Sequence, residues 1–265
     1  MNPDINIYVI THKRFDDSLF KNKKIYSALL VGKALGNSGK EYYLNDALGE
    51  NISFKNKSYC ELTGLYWMLK NSDSKILGLE HYRRYFVNNS KDKQLLTKTQ
   101  IVNDLASYDI ILPKKDPLIF MGKTADQYFG DVHDPLVWTL TRNIIEKDFP
   151  QYLSDFDWYS KQYTGYSYNM MIASKEIVDE YCKWLFKILE SLEKIVDLKK
   201  YNNYNQRMFG FVSERLLNIW IKHNNLKVKE YPVWKNDKEN YSDILKSKFF
   251  RLYAKHRLSK NLNRN

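Results

Sequence analysis

Ile76-Leu77-Gly78-Leu79-Glu80-His81-Tyr82-Arg83-Arg84-Tyr85-Phe86 decides how this chain is read. The apolar run at its start has the length and composition of a buried strand. It stops abruptly in a block that holds an imidazole, two guanidiniums and three aromatic rings. In open α/β sheets, ligands bind beyond the carboxyl ends of the strands. Adjacent guanidiniums there offer forked donors suited to phosphate or carboxylate. An arbitrary Arg-Arg pair is more often a solvated loop charge above packed rings, so the surrounding sequence has to decide.

Upstream, Ile5-Asn6-Ile7-Tyr8-Val9-Ile10 reads as a first strand running into Thr11-His12-Lys13-Arg14. A polar, basic cluster after an opening strand is where a nucleotide meets such a sheet. Residues 26–31 read as a second strand, followed by Gly32, Gly36 and Gly39. Those glycines have neither the dinucleotide spacing nor that of a P-loop, which disfavours a simple kinase or dehydrogenase. A helix is expected from Asn56 or Ser58 to Lys70, with Tyr59, Leu62, Tyr66 and Leu69 on its buried face. The strand at Ile76 then completes a strand–helix–strand rhythm, the mark of an α/β sheet. Further strands are expected at 109–113, 166–173 and 227–233, and helices at 100–108, 175–198 and up to His223.

A hydrophobic share of 43% over 265 residues is enough for one large core. No apolar run is long enough to span a bilayer, and the polar start Met1-Asn2-Pro3-Asp4 shows no secretory signal. Cys60 and Cys182 both fall in helical patterns and read as reduced, buried thiols rather than a disulfide or a metal site. These features point to the cytosol. The net charge of +11 implies anionic partners. Nucleic acid is not expected among them, because no nucleic-acid recognition motif is present. From Lys246 to Arg264, basic residues alternate with Phe249, Phe250, Leu252, Tyr253, Leu258 and Leu262. Such a stretch suits the surface of an anionic membrane. The expected division is a main domain over 1–240 and a basic amphipathic tail over 241–265.

Several blocks together resemble one bacterial family. They are Thr11-His12-Lys13, Asp46 with Gly49 and Asn51-Ile52-Ser53, Lys55-Asn56, Cys60-Glu61-Leu62-Thr63, and His81-Tyr82-Arg83-Arg84-Tyr85-Phe86. The likeness continues through Asn169-Met170, Tyr181-Cys182, Arg207, Gly210-Phe211 and Ser213-Glu214-Arg215-Leu216, and covers residues 5–233. That family, first defined as a domain of unknown function, is one of glycosyltransferases of capsule, exopolysaccharide or O-antigen synthesis. The resemblance implies an α/β, GT-A-like single domain with a mostly parallel, Rossmann-like central sheet flanked by helices. It also implies a nucleotide-sugar donor, with a UDP-hexose carrying galactose or galactofuranose as the first guess. The acceptor would be a lipid-linked oligosaccharide at the inner face of the cytoplasmic membrane.

Most GT-A enzymes place an Asp-x-Asp metal motif at the end of a middle strand, where this chain has Glu80-His81-Tyr82-Arg83-Arg84. Arg83 and Arg84, with His81, can neutralise a leaving diphosphate without a metal. No cofactor is therefore expected to be required, although a Glu80–His81 pair is chemically suited to Mn²⁺ or Mg²⁺. For an inverting transfer the resemblance offers Glu214 as the base, with Asp131 or His133 as substitutes. Thr11, His12, Lys13, Asp46 and Asn51 are expected to hold nucleotide and ribose, alongside Lys55, Tyr82 and Arg207. A self-capped turn is the structural alternative for Asp46 and Asn51. The alternative for the whole chain is a noncatalytic nucleotide- or glycan-binding partner of another transferase.

Overall fold

The computed structural model describes residues 4–20, 23–89, 93–117, 119–236 and 251–260. Their strands are β1 (Ile5–Thr11), β2 (Tyr26–Leu30), β3 (Leu44–Asn45), β4 (Ile76–His81), β5 (Arg84–Phe86), β6 (Ile110–Pro113), β7 (Met171–Ser174), β8 (Val228–Tyr231) and β9 (Val233–Lys235). The main path through the sheet is β3-β2-β1-β4-β7-β6-β8, and β5 with β9 branches from the end of β4. Along that path every strand runs the same way except β7, which is antiparallel to both β4 and β6. The mixed α/β, mostly parallel sheet expected from the sequence is present.

The helices are α1 (Asn56–Tyr59), α2 (Leu62–Asn71), α3 (Lys98–Leu105), α4 (Ala125–Val132), α5 (Pro135–Asp148), α6 (Leu153–Ser160), α7 (Lys175–Ile195) and α8 (Met208–His223). Alternation along the strands sends residues to two cores. Leu77 and Leu79 of β4 pack with side chains of α2, α5, α7 and α8 on one face. Ile76 packs with Ile7, Tyr85, Phe86 and Ile101 of α3 on the other. Gly64 lets α2 lie close on β1, since a Cβ there would stand 2.6 Å from Ile10 Cδ1.

Three elements differ from the sequence reading. The helix expected over 56–70 is two pieces, because Cys60 adopts φ 51 and ψ −124 between α1 and α2. Asn56 holds the break by donating to the Cys60 carbonyl at 2.6 Å and to Thr63 Oγ1 at 2.9 Å. The strand expected from Tyr166 starts only at Met171, because Tyr168 and Asn169 take positive φ values of 76 and 51. The last strand is split at Pro232, which lacks the N–H a continuous ladder needs.

Residues 251–260 are helical, with Ala254 buried and Leu252 and Tyr253 exposed. This segment rests on Gly122, where φ is 72 and a Cβ would meet the Ala254 carbonyl at 2.8 Å. Arg251 adds an ion pair to Asp116 at 2.9 Å. The expected tail residues Lys246, Lys248, Phe249, Phe250, Leu262 and Arg264, and the expected boundary at 240, lie outside the described residues. Among the described residues no helix is long and apolar enough to cross a membrane.

Asp46 and Glu80 are both carboxylates with no exposed surface, and their surroundings are opposite. Asp46 accepts from the backbone N–H groups of Gly32 and Lys33 and from the hydroxyls of Ser53 and Thr63. It ties the end of β2 to α2. Glu80 has one acceptor bond, from the Phe86 N–H at 3.1 Å, and its Oε2 has no partner. Burial pushes the Glu80 carboxyl up to about 8.

Both contrasts are measurable by urea unfolding. Asp46→Ala leaves four donors without their acceptor and should destabilise the fold by about 3 kcal/mol or more. For Glu80 the folded chain binds the proton that the unfolded chain has already released between its ordinary value and about 8. Wild type should therefore lose stability relative to Glu80→Gln as pH rises through that window, and the difference should level off above it. A pH-independent difference would contradict this assignment.

Candidate functional site

Chain order reverses around β1, which has β2 on one side and β4 on the other. Crevices at such switch points, at the carboxyl ends of the strands, are the usual ligand sites of α/β sheets. A cleft of about 670 Å³ lies there. Thr11 and His12 enter it from the end of β1, and His81 to Arg84 from the end of β4. The α1–α2 junction contributes Cys60 and Glu61, and the far wall is closed by Arg207, just before α8, with Phe211 and Glu214 of α8.

Positive charge dominates this cleft. Arg83 lies over the Tyr82 ring at 4.9 Å, Arg84 over Tyr168 at 4.7 Å, and Arg207 over Phe211 at 5.5 Å. Ring faces hold guanidiniums by cation–π attraction while leaving their N–H edges for other partners. Arg84 Nε is buried and has no hydrogen-bond partner. The same field acts on His12, whose pKa is lowered by burial and then by Lys13, Arg83 and Arg207.

His81 does not add to that charge. Its Nε2 lies 2.6 Å from the Tyr168 carbonyl, and burial pushes the imidazole down to about 4. A carbonyl only accepts, so Nε2 carries the proton and Nδ1 is left as an acceptor. His81 is therefore a neutral, fixed ring, and the positive charge at this strand end is carried by Arg83 and Arg84. The Glu80–His81 metal pair is also not assembled. Glu80 points into the opposite core toward Phe86, whereas His81 faces the cleft. Among the described residues no three His, Cys, Asp or Glu side chains converge into a metal-binding group.

Two carboxylates share the cleft with the arginines. Glu214, in the second turn of α8, accepts from Arg215 Nη1 at 2.7 Å and keeps a fifth of its side chain exposed. Burial raises its pKa, against the lowering effect of Arg215, and the neighbouring Glu61 charge raises it further, against Arg84. Glu61 accepts from Asn169 Nδ2 at 2.7 Å. Asn169 is itself locked by the Gly210 carbonyl and by the Ser213 hydroxyl. Among the described residues six non-glycine residues take positive φ; Cys60, Tyr168 and Asn169 are at this site, and Lys93, Met121 and Asn225 lie elsewhere. Strained backbone of this kind, about 1–3 kcal/mol per residue, concentrates where function fixes the geometry.

A smaller pocket of about 150 Å³ adjoins the cleft and shares Tyr168, Tyr204, Phe211 and Glu214 with it. His133 belongs to this pocket, stacked on Phe211 at 4.1 Å with Nδ1 2.9 Å from Asn205 Oδ1. Burial pushes it down to about 4, so it too is neutral near pH 7.

Of the residues expected from the sequence, Thr11, His12, His81, Tyr82, Arg83, Arg84, Arg207 and Glu214 come together in the cleft. Lys13 lies at its edge, 5.6 Å from the Tyr82 ring centre. Asp46 is the buried clamp described above. Asn51 closes its own turn onto the Ala47 and Gly49 carbonyls, as the turn alternative foresaw. Lys55 pairs with Glu193 at 2.6 Å, and Asp131 pairs with Lys123, both away from the cleft. The sequence reading missed Glu61, Tyr168 and Phe211 as cleft residues. Glu61 and Phe211 stood in quoted blocks but were assigned no role, and nothing local marks Tyr168.

No curated protein matches the chain. Among solved structures it is similar to the bifunctional glycosyltransferase WbbM in its apo form, with 31% identity and a TM-score of 0.78. That likeness covers 90% of this chain but 46% of the other, so this chain spans about half the length of that relative. Residues 6–225 match the model of the domain of unknown function DUF4422, a span that contains every cleft residue named above, and the chain belongs to that family.

Proposed function

We propose that this protein is a nucleotide-sugar-dependent glycosyltransferase. The observation that carries the reading is a guanidinium-lined cleft at the switch point with a carboxylate of raised pKa inside it. The likeness to a glycosyltransferase structure supports it. The donor's diphosphate lies against Arg83, Arg84 and Arg207, and its nucleotide lies toward Thr11, His12 and Tyr82. Glu214 takes the proton from the acceptor hydroxyl as that oxygen bonds to the anomeric carbon. The bond from that carbon to the diphosphate breaks, and the electron pair leaves with the diphosphate, whose growing charge the arginines meet. Attack from the face opposite the leaving group inverts the anomeric centre.

The arginines supply the electrostatic stabilisation that a cation gives elsewhere, so the transfer needs no metal in this reading. A UDP-hexose, galactose or galactofuranose first, is the proposed donor, and a lipid-linked glycan of capsule, exopolysaccharide or O-antigen synthesis the proposed acceptor. The protein works from the inner face of the cytoplasmic membrane. The exposed Leu252 and Tyr253, beside Arg251 and Lys255, support contact with an anionic surface.

Thermal shift against UDP, GDP, CMP and dTDP nucleotides, with Mn²⁺ or EDTA, tests the donor site first. One nucleotide should stabilise the protein in EDTA, and Arg84→Ala should abolish that shift. Glu214→Gln should keep nucleotide binding while kcat falls by about 10²–10⁴. Because a raised carboxyl must lose its proton to act as a base, activity should climb with pH through a midpoint above the ordinary glutamate value. Nucleotide binding without turnover of any donor would leave the noncatalytic subunit as the reading. Leu252→Ser with Tyr253→Ser should weaken cosedimentation with anionic liposomes, and unchanged binding would remove the tail from the membrane role.

A further inference from the structure

The proposed reaction leaves one acidic side chain of the cleft without a task. Glu61 stands at the start of α2, and the break at Cys60 places it in the cavity that Arg83, Arg84 and Arg207 also line. A carboxylate there repels a diphosphate, so its presence has to serve a part of the ligand that is uncharged. The chain also goes to some length to hold it. Asn169, buried and at φ 51, donates to Glu61 Oε1 at 2.7 Å and to the Gly210 carbonyl at 3.2 Å. Because both of those partners only accept, the amide is fixed with its NH₂ toward Glu61; the buried Ser213 hydroxyl lies 2.8 Å from the Gly210 carbonyl and 3.1 Å from Asn169 Oδ1. Gly210 keeps the flank open, since a Cβ there would already stand 3.9 Å from Glu61 Oε1.

We propose that Glu61 reads the donor sugar, accepting hydrogen bonds from a vicinal pair of its hydroxyls. The inference rests on the glycosyltransferase reading. An ionised carboxylate is acceptor-only with two oxygens, and so matches two adjacent O–H donors. Charged acceptors bind hydroxyls more strongly than neutral ones and reject analogues that lack the donor. Ribose carries the same diol, and position separates the two. Through Asn169 and Gly210, Glu61 faces α8 one turn before the proposed base Glu214, and its charge raises the Glu214 carboxyl. His12 and Tyr82 instead follow the ends of β1 and β4, paired edge to face at 5.4 Å. Glu61 is therefore a specificity-determining residue beside the base, distinct from the nucleotide-holding residues.

Calorimetric titration of wild type and Glu61→Gln is the test, using sugar nucleotides of UDP, GDP, CMP and dTDP and the matching free nucleotides. Glutamine keeps an oxygen for Asn169 and loses one acceptor, and an unchanged melting temperature checks that the fold is kept. In the variant, affinity for the sugar nucleotide should fall about tenfold or more while the free nucleotide stays within about twofold. A donor analogue lacking one of the paired hydroxyls should bind wild type and variant alike. Equal losses for sugar nucleotide and free nucleotide would assign Glu61 to ribose and overturn the proposal. Unchanged affinities with a collapsed kcat would make it a base instead, and unchanged affinities with unchanged kcat would leave it no role. If wild type binds no nucleotide at all, the glycosyltransferase reading falls with it.

Discussion

Because β7 runs antiparallel to β4, with Met171 opposite Leu79, the residues just before β7 arrive at the carboxyl end of β4. A parallel strand would have brought its own carboxyl end there and carried Tyr168 and Asn169 to the far edge of the sheet. The reversal lets the Tyr168 carbonyl meet His81 and the Asn169 amide meet Glu61. It also brings α8 within reach, since Ser213 and Gly210 complete the Asn169 network. One change of strand direction therefore joins three otherwise separate segments into one wall.

That wall sorts charge by chemistry. Both imidazoles near the reacting end, His81 and His133, are held neutral by burial, which outweighs the opposing effect of the Tyr168 carbonyl on one and of Asn205 on the other. The positive side is carried mainly by guanidiniums lying on aromatic rings. Planar guanidiniums lose less on desolvation than compact ammonium groups and keep several donors in fixed directions. Of the two carboxylates, Glu214 is paired with Arg215 and Glu61 with an amide, so each keeps a defined orientation in a field that favours anions.

Much of this was legible in the sequence. The apolar runs of β1, β2, β4 and β6 sit where they were read, and the long spacing pattern of α7 is a single helix. The basic blocks after β1 and β4 do meet in one cleft. Less legible were features set by side-chain partners distant in sequence. Cys60 breaks a helical pattern with no glycine or proline to announce it, and the break depends on Asn56 and on Arg207, whose Nε is 3.2 Å from Cys60 Sγ. Asp46 and Glu80 look alike as acidic residues near strand ends. Only the four donors around one and the single N–H beside the other tell them apart. Glu61 was hidden for the same reason, since its direction is fixed by Asn169, far along the chain.

Building a ligand-attracting field from arginines has an effect on which solution variable governs it. Guanidiniums stay charged throughout the range in which proteins fold, and the two neutral imidazoles gain charge only near pH 4. Acidity therefore leaves the guanidinium part of that attraction unchanged across the physiological range. Ionic strength acts directly, because the screening length shrinks from about 30 Å at 0.01 M salt to about 8 Å at 0.15 M. In dilute buffer the cleft attracts anions from well outside its mouth. At cellular ionic strength its reach is roughly that of its own walls, and capture depends on contact rather than on long-range steering.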